Sequence, residues 1–224
     1  MTMNNRSGGS DIELIRVIVN YGLGSKIIKA AKKYGISGGT VTLGKGTIKN
    51  RLLNYIGITD EKKEIVHMAT EKETAERVLE KLNQEFEFYK PHHGIAFTTS
   101  ICGIFGTQRM LCKSLQEESE ADNSMYHIIT VIVDRGKAEE VIAAATKAGS
   151  KGGTIINARG SGIHETSKLF AMDIEPEKEV VIILSEFEKT EDIVALVREN
   201  LKIDKPGNGI IFVQNANKTY GIHK

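Results

Sequence analysis

The chain has very little cysteine and no excess of charge, and both absences narrow its function. Its only thiols are Cys102 and Cys112, at no metal-ligand spacing, which points to a reducing compartment. Thirty Lys and Arg stand against 29 Asp and Glu, a net charge of +1, so no global field calls for DNA or RNA. The interleaving of basic and aromatic residues used by single-strand binders is missing too. Residues 1–10 are polar and lack the apolar core of a signal peptide, and no apolar run is long enough to cross a bilayer. The expected location is cytoplasmic. No His-Glu-x-x-His pair or P-loop occurs, so no catalytic residue and no enzyme is expected. His92 and His93 are adjacent, would point to opposite faces of a strand, and have no carboxylate or thiol at a ligand spacing, so no metal site is expected.

What is present is ordinary globular composition, 40% apolar and 26% charged, in 224 residues, a length natural for two domains. The strongest signal is an internal repeat. Tyr34-Gly35-Ile36-Ser37-Gly38-Gly39-Thr40-Val41 matches Ala148-Gly149-Ser150-Lys151-Gly152-Gly153-Thr154-Ile155 at an offset of 114 residues. The same offset places Val17 to Asn20 on Val131 to Asp134, and Lys45-Gly46 on Arg159-Gly160. After one inserted residue, Glu64-Ile65-Val66 falls on Glu179-Val180-Val181, and Gly94 to Phe97 on Gly209 to Phe212.

Each copy shows one order of elements. β-branched runs at Leu14–Asn20 and Ile128–Asp134 predict buried strands. Helices are predicted over Ser25–Tyr34 and Lys137–Ala148, with Gly35 and Gly149 as left-handed C-terminal residues. Second strands follow at Thr40–Leu43 and Thr154–Ala158, and third strands at Glu64–Ala69 and Glu179–Leu184. Thr70-x-x-Glu73 and Ser185-x-x-Glu188 predict capping boxes for second helices, whose apolar stripes are Val78, Leu79, Leu82, Phe86 and Ile193, Val194, Val197, Leu201. Fourth strands follow at Gly94–Thr99 and Gly209–Val213. The expected fold is α+β, two tandem ferredoxin-like βαββαβ units. Residues 1–13 form a disordered N-terminal arm, 14–106 the first domain, 107–125 an acidic linker and 126–224 the second domain in this reading.

The segment Gly149 to His164 and the run Gly207-Asn208-Gly209-Ile210-Ile211-Phe212-Val213 carry a resemblance. They resemble the PII nitrogen-regulatory family, in which a Gly-x-x-Gly turn leads through a strand to a basic residue, Gly-x-Gly and a long mobile T-loop. Arg159-Gly160-Ser161-Gly162 matches that basic element, and Gly207 to Val213 matches the phosphate-binding B-loop. The likeness covers residues 14–106 and 126–222, so both domains read as PII-type. Ile95 and Ile210 stand where the family has its B-loop lysine, and the first copy has Ile48 in place of the second glycine of Gly-x-Gly.

The resemblance implies a non-catalytic signalling protein of nitrogen metabolism. It would sense a small effector, ATP or ADP in the family, in clefts between subunits. It would control a partner, an ammonium transporter or a nitrogen-assimilation enzyme, through the T-loops at 47–63 and 161–178. A homotrimer is implied. The candidate effector residues are Gly38, Gly39, Thr40, Lys45, Gly46 and Gly94 in the first copy. In the second they are Gly152, Gly153, Thr154, Arg159, Gly160, Gly162, His164, Gly207, Asn208 and Gly209. Lys45 and Arg159 recur at the loop root, as phosphate or carboxylate recognition requires, or as solvated charges do. The glycine pairs shape a pocket or serve only a turn needing positive φ, and Gly207-Asn208-Gly209 is an anion nest or a plain loop into a strand. Family T-loops carry a modifiable tyrosine. Tyr55 lies in that segment here, and Phe170 at the matching position favours packing of a ring. The alternatives are a metal-binding trimer similar to the CutA family and a ligandless structural trimer.

Overall fold

A computed structural model describes residues 11–46, 61–107, 125–161, 167–169 and 172–220. In chain order the elements are β1 (Ile12–Asn20), α1 (Gly24–Lys33), β2 (Gly39–Gly46), β3 (Glu61–Glu71), α2 (Lys72–Phe86), β4 (Ile95–Ile101) and β5 (Gly103–Phe105). Then come β6 (Tyr126–Asp134), α3 (Ala138–Lys147), β7 (Thr154–Ser161), β8 (Ser167–Leu169), β9 (Met172–Ile174), β10 (Glu177–Glu186), α4 (Phe187–Leu201) and β11 (Ile210–Ala216). Apart from β5 and the small β8–β9 hairpin, the order strand, helix, strand, strand, helix, strand occurs twice, and the fold is α+β with two ferredoxin-like units.

The helices form where their stripes find a sheet. In α3 the buried residues are Ala138, Val141, Ala144 and Ala145, with Ile142 packed partly buried beside them. Beneath them lie Ile129, Val131, Val133, Val181 and Ile183, the alternate residues of β6 and β10. The first unit repeats this with Ile27, Ile28, Ala31, Val78 and Leu82 over Ile15, Val17, Val66 and Met68. A fully buried aliphatic side chain of this kind contributes roughly 1.5–3 kcal/mol, so the helices are held by tertiary contact more than by propensity. Gly35 (φ +110°) and Gly149 (φ +93°) end α1 and α3 in the left-handed region, as their positions predict.

The predicted capping boxes do not form. The residues preceding α2 and α4 are Glu71 and Glu186, neither with a side-chain cap. Thr70 and Ser185 stay in the strand ladders, opposite Glu13 and His127. The strands run directly into the helices, which leaves those hydroxyls one residue too early.

All nine long-sheet strands are hydrogen-bonded in the order β4-β1-β3-β2-β7-β10-β6-β11-β5. Two features of that order lie beyond the tandem reading. The units join edge to edge, with Gly39, Thr40, Val41 and Thr42 of β2 opposite Ser161, Gly160, Arg159 and Ala158 of β7. And β4 and β5, separated only by Cys102, stand at opposite ends of the order. The chain leaves β1 and crosses to the free edge of β11, where Cys102 N donates to Val213 O at 2.8 Å. The sheet therefore curls until its ends meet, as a barrel that leaves few free edges. Helices cover the outside. Inside, Ile12, Leu14, Ile101 and Ile104 from the first half of the sequence pack on Ile132, Val180 and Phe212 from the second.

The interior is not wholly apolar. Arg16, His67, Thr40, Thr42, Thr99 and Gln214 face it, and Gln214 Nε2 donates to Thr99 Oγ1 (2.8 Å) and Ser100 O (3.0 Å) across the closing seam. Burial, and then the charge of Arg16, push the His67 imidazole down to about 4. A histidine that resists protonation when folded but titrates normally when unfolded stabilises the protein fully above its unfolded pKa. That stability is lost as pH falls through the window from 6.5 to about 4. At 1.36 kcal/mol per pKa unit the loss is roughly 3 kcal/mol. Burial lowers His127 in the same direction, against a raising hydrogen bond from Asn215. Urea unfolding across that pH range should show the slope, and His67→Leu should flatten most of it.

Candidate functional site

The β2–β7 seam brings together residues that are far apart in sequence. Val41 faces the helices, so Arg159, paired directly across from it, faces them too. Glu64 of β3 lies under α1 with 1% exposure. Its Oε2 accepts from the backbone N–H of Gly24, the first residue of α1, at 2.6 Å. Its Oε1 accepts from Arg159 Nη2 at 3.0 Å. Arg159 Nε donates to Glu175 Oε2 at 2.8 Å, and Nη2 also reaches Ser25 Oγ at 3.3 Å. The helix N-terminus, carrying partial positive charge, and a guanidinium thus share one buried carboxylate. Gly24 is needed for this, since a Cβ there would lie 2.8 Å from Glu64 Oε2 and 2.9 Å from Val41 Cγ1. Burial opposes the charge of Arg159, but the hydrogen bonds and charges of Glu64 and Glu175 outweigh it and hold the pKa above the ordinary value.

Arg159 sits just before the segment 161–178, and Glu175 sits at its return limb. The ion pair therefore ties both roots of that segment to α1 of the other unit. In the second unit Glu179 takes the place of Glu64, accepting from Gly136 N (3.0 Å) and Ala138 N (2.9 Å) at the start of α3. Lys45, the counterpart of Arg159, is exposed on β2 opposite Lys62.

The other expected site residues separate into two groups. Gly39, Thr40 and Gly160 join Arg159 at the seam. A Cβ on Gly160 would collide with the Gly39 carbonyl oxygen, so this glycine sets the approach of β7 to β2. Gly39 and Gly153 lie tight under α1 and α3, 3.0 Å from Ile28 Cγ1 and 2.9 Å from Ile142 Cδ1 for an added Cβ. Gly38 precedes β2, Gly46 ends it, and Thr154 is exposed at the start of β7. Gly152 has φ +128° with open space around it.

Gly94 (φ +131°) and Gly209 (φ +150°) begin the approach to β4 and β11, where a Cβ would lie 2.7 Å from the Ile18 and Ile132 carbonyl oxygens. Asn208 donates from Nδ2 to Leu201 O (3.2 Å) and Lys202 O (3.0 Å), closing the end of α4. Asn208→Ala should therefore cost about 1 kcal/mol in unfolding free energy without any ligand, measured by urea denaturation. Gly162, His164, Tyr55 and Phe170 lie outside the described residues.

Sequence reasoning missed Glu64, Glu175, Arg16 and His67. For Glu64 a signal existed: a carboxylate recurs with Glu179 at the head of the two predicted third strands. Among the described residues no helix is long and apolar enough to cross a membrane.

Residues 126–224 match the model of the family Nitrogen regulatory protein P-II. A search of curated proteins found no match. Among solved structures, a PII-like signalling protein from Thermus thermophilus is 19% identical, over 41% of this chain and 88% of that one, with a TM-score of 0.31. The ATP complex of Bacillus subtilis GlnK is 15% identical over 42% and 85%, TM-score 0.32. The ligand-free regulatory subunit of aspartate kinase from Thermus thermophilus is 18% identical over 85% and 93%, TM-score 0.35. These likenesses are weak in sequence and shape, and no ligand or partner is carried over from them.

Proposed function

We propose that this chain is a non-catalytic, cytoplasmic PII-like regulator of nitrogen metabolism. It senses a small effector, ATP or ADP in the first instance, and controls an ammonium transporter or nitrogen-assimilation enzyme through the segment 161–178. The reading is supported by the family match over 126–224 and by the sequence motifs. The observation that carries it is the hold of Arg159 on Glu175 across the roots of that segment. A phosphate or carboxylate competing for this guanidinium takes the place of Glu175 and releases the return limb. The effector shifts the segment between held and released states only through its different affinity for the two. Three chains assemble as a homotrimer in this proposal, and light scattering should give three times 24.6 kDa.

A thermal-shift series with ATP, ADP and 2-oxoglutarate tests the reading. Ligand at a hundred times its Kd adds about 2.7 kcal/mol, raising Tm by several degrees. The shift should vanish in Arg159→Ala. No shift with any of the three contradicts an effector role for this site.

A further inference from the structure

The inner face of the barrel differs between its halves in a way that packing alone does not require. Arg16 of β1 lies on that face, where Nη1 donates to Thr99 Oγ1 at 3.0 Å and Nη2 to Gln214 Oε1 at 3.1 Å. Both acceptors are neutral, and no carboxylate among the described residues pairs with it. Burial lowers its pKa with no acidic group to offset the effect. Two other partly buried cations are neutralised: Arg159 by Glu64 and Glu175, Lys178 by Asp134. An uncompensated charge drawn from water is costly, and a guanidinium has five N–H donors of which two are engaged here.

The neighbours of Arg16 complete a polar corner. His67 is directly opposite on β3 and Phe97 directly opposite on β4. Thr40 lies beyond His67 on β2, and His67 Nε2 is 3.2 Å from Thr42 Oγ1. Phe97 is 39% and Ile95 59% exposed, so the corner is open to solvent. At the repeat offset the second half has Thr130, Ile182, Phe212 and Thr154 at these positions, with no cation and no imidazole. There β5 pairs along β11 with Ile104 opposite Phe212, which is only 3% exposed. At these positions the second half is uncharged and covered at Phe212 by β5, whereas the first carries a cation beside an exposed edge.

We propose that the first half carries a small-oxyanion site on the inner face of the barrel, where Arg16 makes the charge-assisted contact, His67 and Thr42 form the polar wall, and a carboxylate or phosphate group enters past Phe97. The guanidinium fork matches either group. The site is separate from Arg159, which faces the helices on the other side of the sheet. The other titratable groups on the inner face are Lys63 and Glu71 on β3, Tyr126 and Asp134 on β6, and Lys178 and Glu186 on β10; among the described residues β2, β4, β7 and β11 contribute none. Asp134 is taken up by Lys178. An anion beside Arg16 therefore offsets the main charge that opposes protonation of His67.

The test is histidine ring NMR on the full chain, titrated separately with inorganic phosphate and with acetate. The His67 signals should move saturably and its pKa should rise, while His127, on the helix side and hydrogen-bonded to Thr190, stays still. Arg16→Gln should abolish the movement, and Arg159→Ala should leave it intact, which separates this site from the proposed effector site. Movement with phosphate alone assigns a phosphate-bearing ligand, and with acetate alone a carboxylate. No saturable movement of His67 in the unsubstituted protein with either anion overturns the proposal, as does equal movement in a folded Arg16→Gln variant.

Discussion

Replacing Gly160 with alanine is expected to destabilise the protein by about 3 kcal/mol or more, the upper part of the range for overpacking. The added Cβ would strike the Gly39 carbonyl oxygen and lie 2.9 Å from Thr40 Cα, both backbone atoms of the paired strand. Backbone in a ladder cannot turn aside as a side chain can. The relief available is separation of β7 from β2, which breaks the hydrogen bonds joining the units and moves Arg159 away from Glu64. Gly39→Ala is the control, since its nearest neighbours are side-chain atoms, Ile28 Cγ1 and Met68 Cγ at 3.0 Å, not backbone, and it should cost about 1–2 kcal/mol. Urea denaturation gives both values. Hydrogen exchange should show the loss in Gly160→Ala centred on β2 and β7. Equal costs for the two variants would contradict the role given to the seam.

Glu64→Ala should cost about 3–4 kcal/mol, from the range for removing one partner of a buried ion pair. Two groups lose their acceptor together: the Gly24 N–H at the start of α1 and the Arg159 guanidinium. Arg159 keeps Glu175 and is 30% exposed, so the cost stays below the upper limit for a fully buried charge. Glu64→Gln should recover about half, because an amide oxygen still accepts from Gly24 but carries no charge for Arg159. Glu179→Ala, which removes the acceptor at the start of α3 without stranding a buried guanidinium, should cost about 1–2 kcal/mol. Chemical denaturation of the three variants orders these effects, and Glu64→Ala no worse than Glu179→Ala would remove the buried pair from the account.

Local features of this fold were legible in the sequence. The stripes Val78–Leu82 and Ile193–Val197 bury as their spacing predicts, and Gly35 and Gly149 take the left-handed conformation that only glycine adopts without strain. The long-range features were not. Pairing of β2 with β7 is a contact between backbones more than a hundred residues apart, and nothing in a strand's composition names its edge partner. Strand β5 has three residues after a single break at Cys102, too short for any periodicity. Lys45-Gly46 and Arg159-Gly160 stood out by repetition, and the glycine proved to space the strands while the arginine met carboxylates of both units. Asn208 was legible as a loop residue, but its hydrogen bonds to the end of α4 appear only once that helix is placed. The polar inner face could not be seen at all, because it depends on β1 pairing with β3, which sets Arg16 opposite His67, and on the sheet closing around them.

The central claim is that an effector at Arg159 alters the segment whose roots that residue ties together. Hydrogen exchange over residues 161–178 tests it most directly, measured without ligand, with ATP, ADP or 2-oxoglutarate in turn, and in Glu175→Gln. Faster exchange in the variant, reproduced by at least one of the three ligands in the unsubstituted protein and absent with that ligand in Arg159→Ala, is the result predicted here. Exchange in that segment unchanged by every ligand and by Glu175→Gln would contradict it.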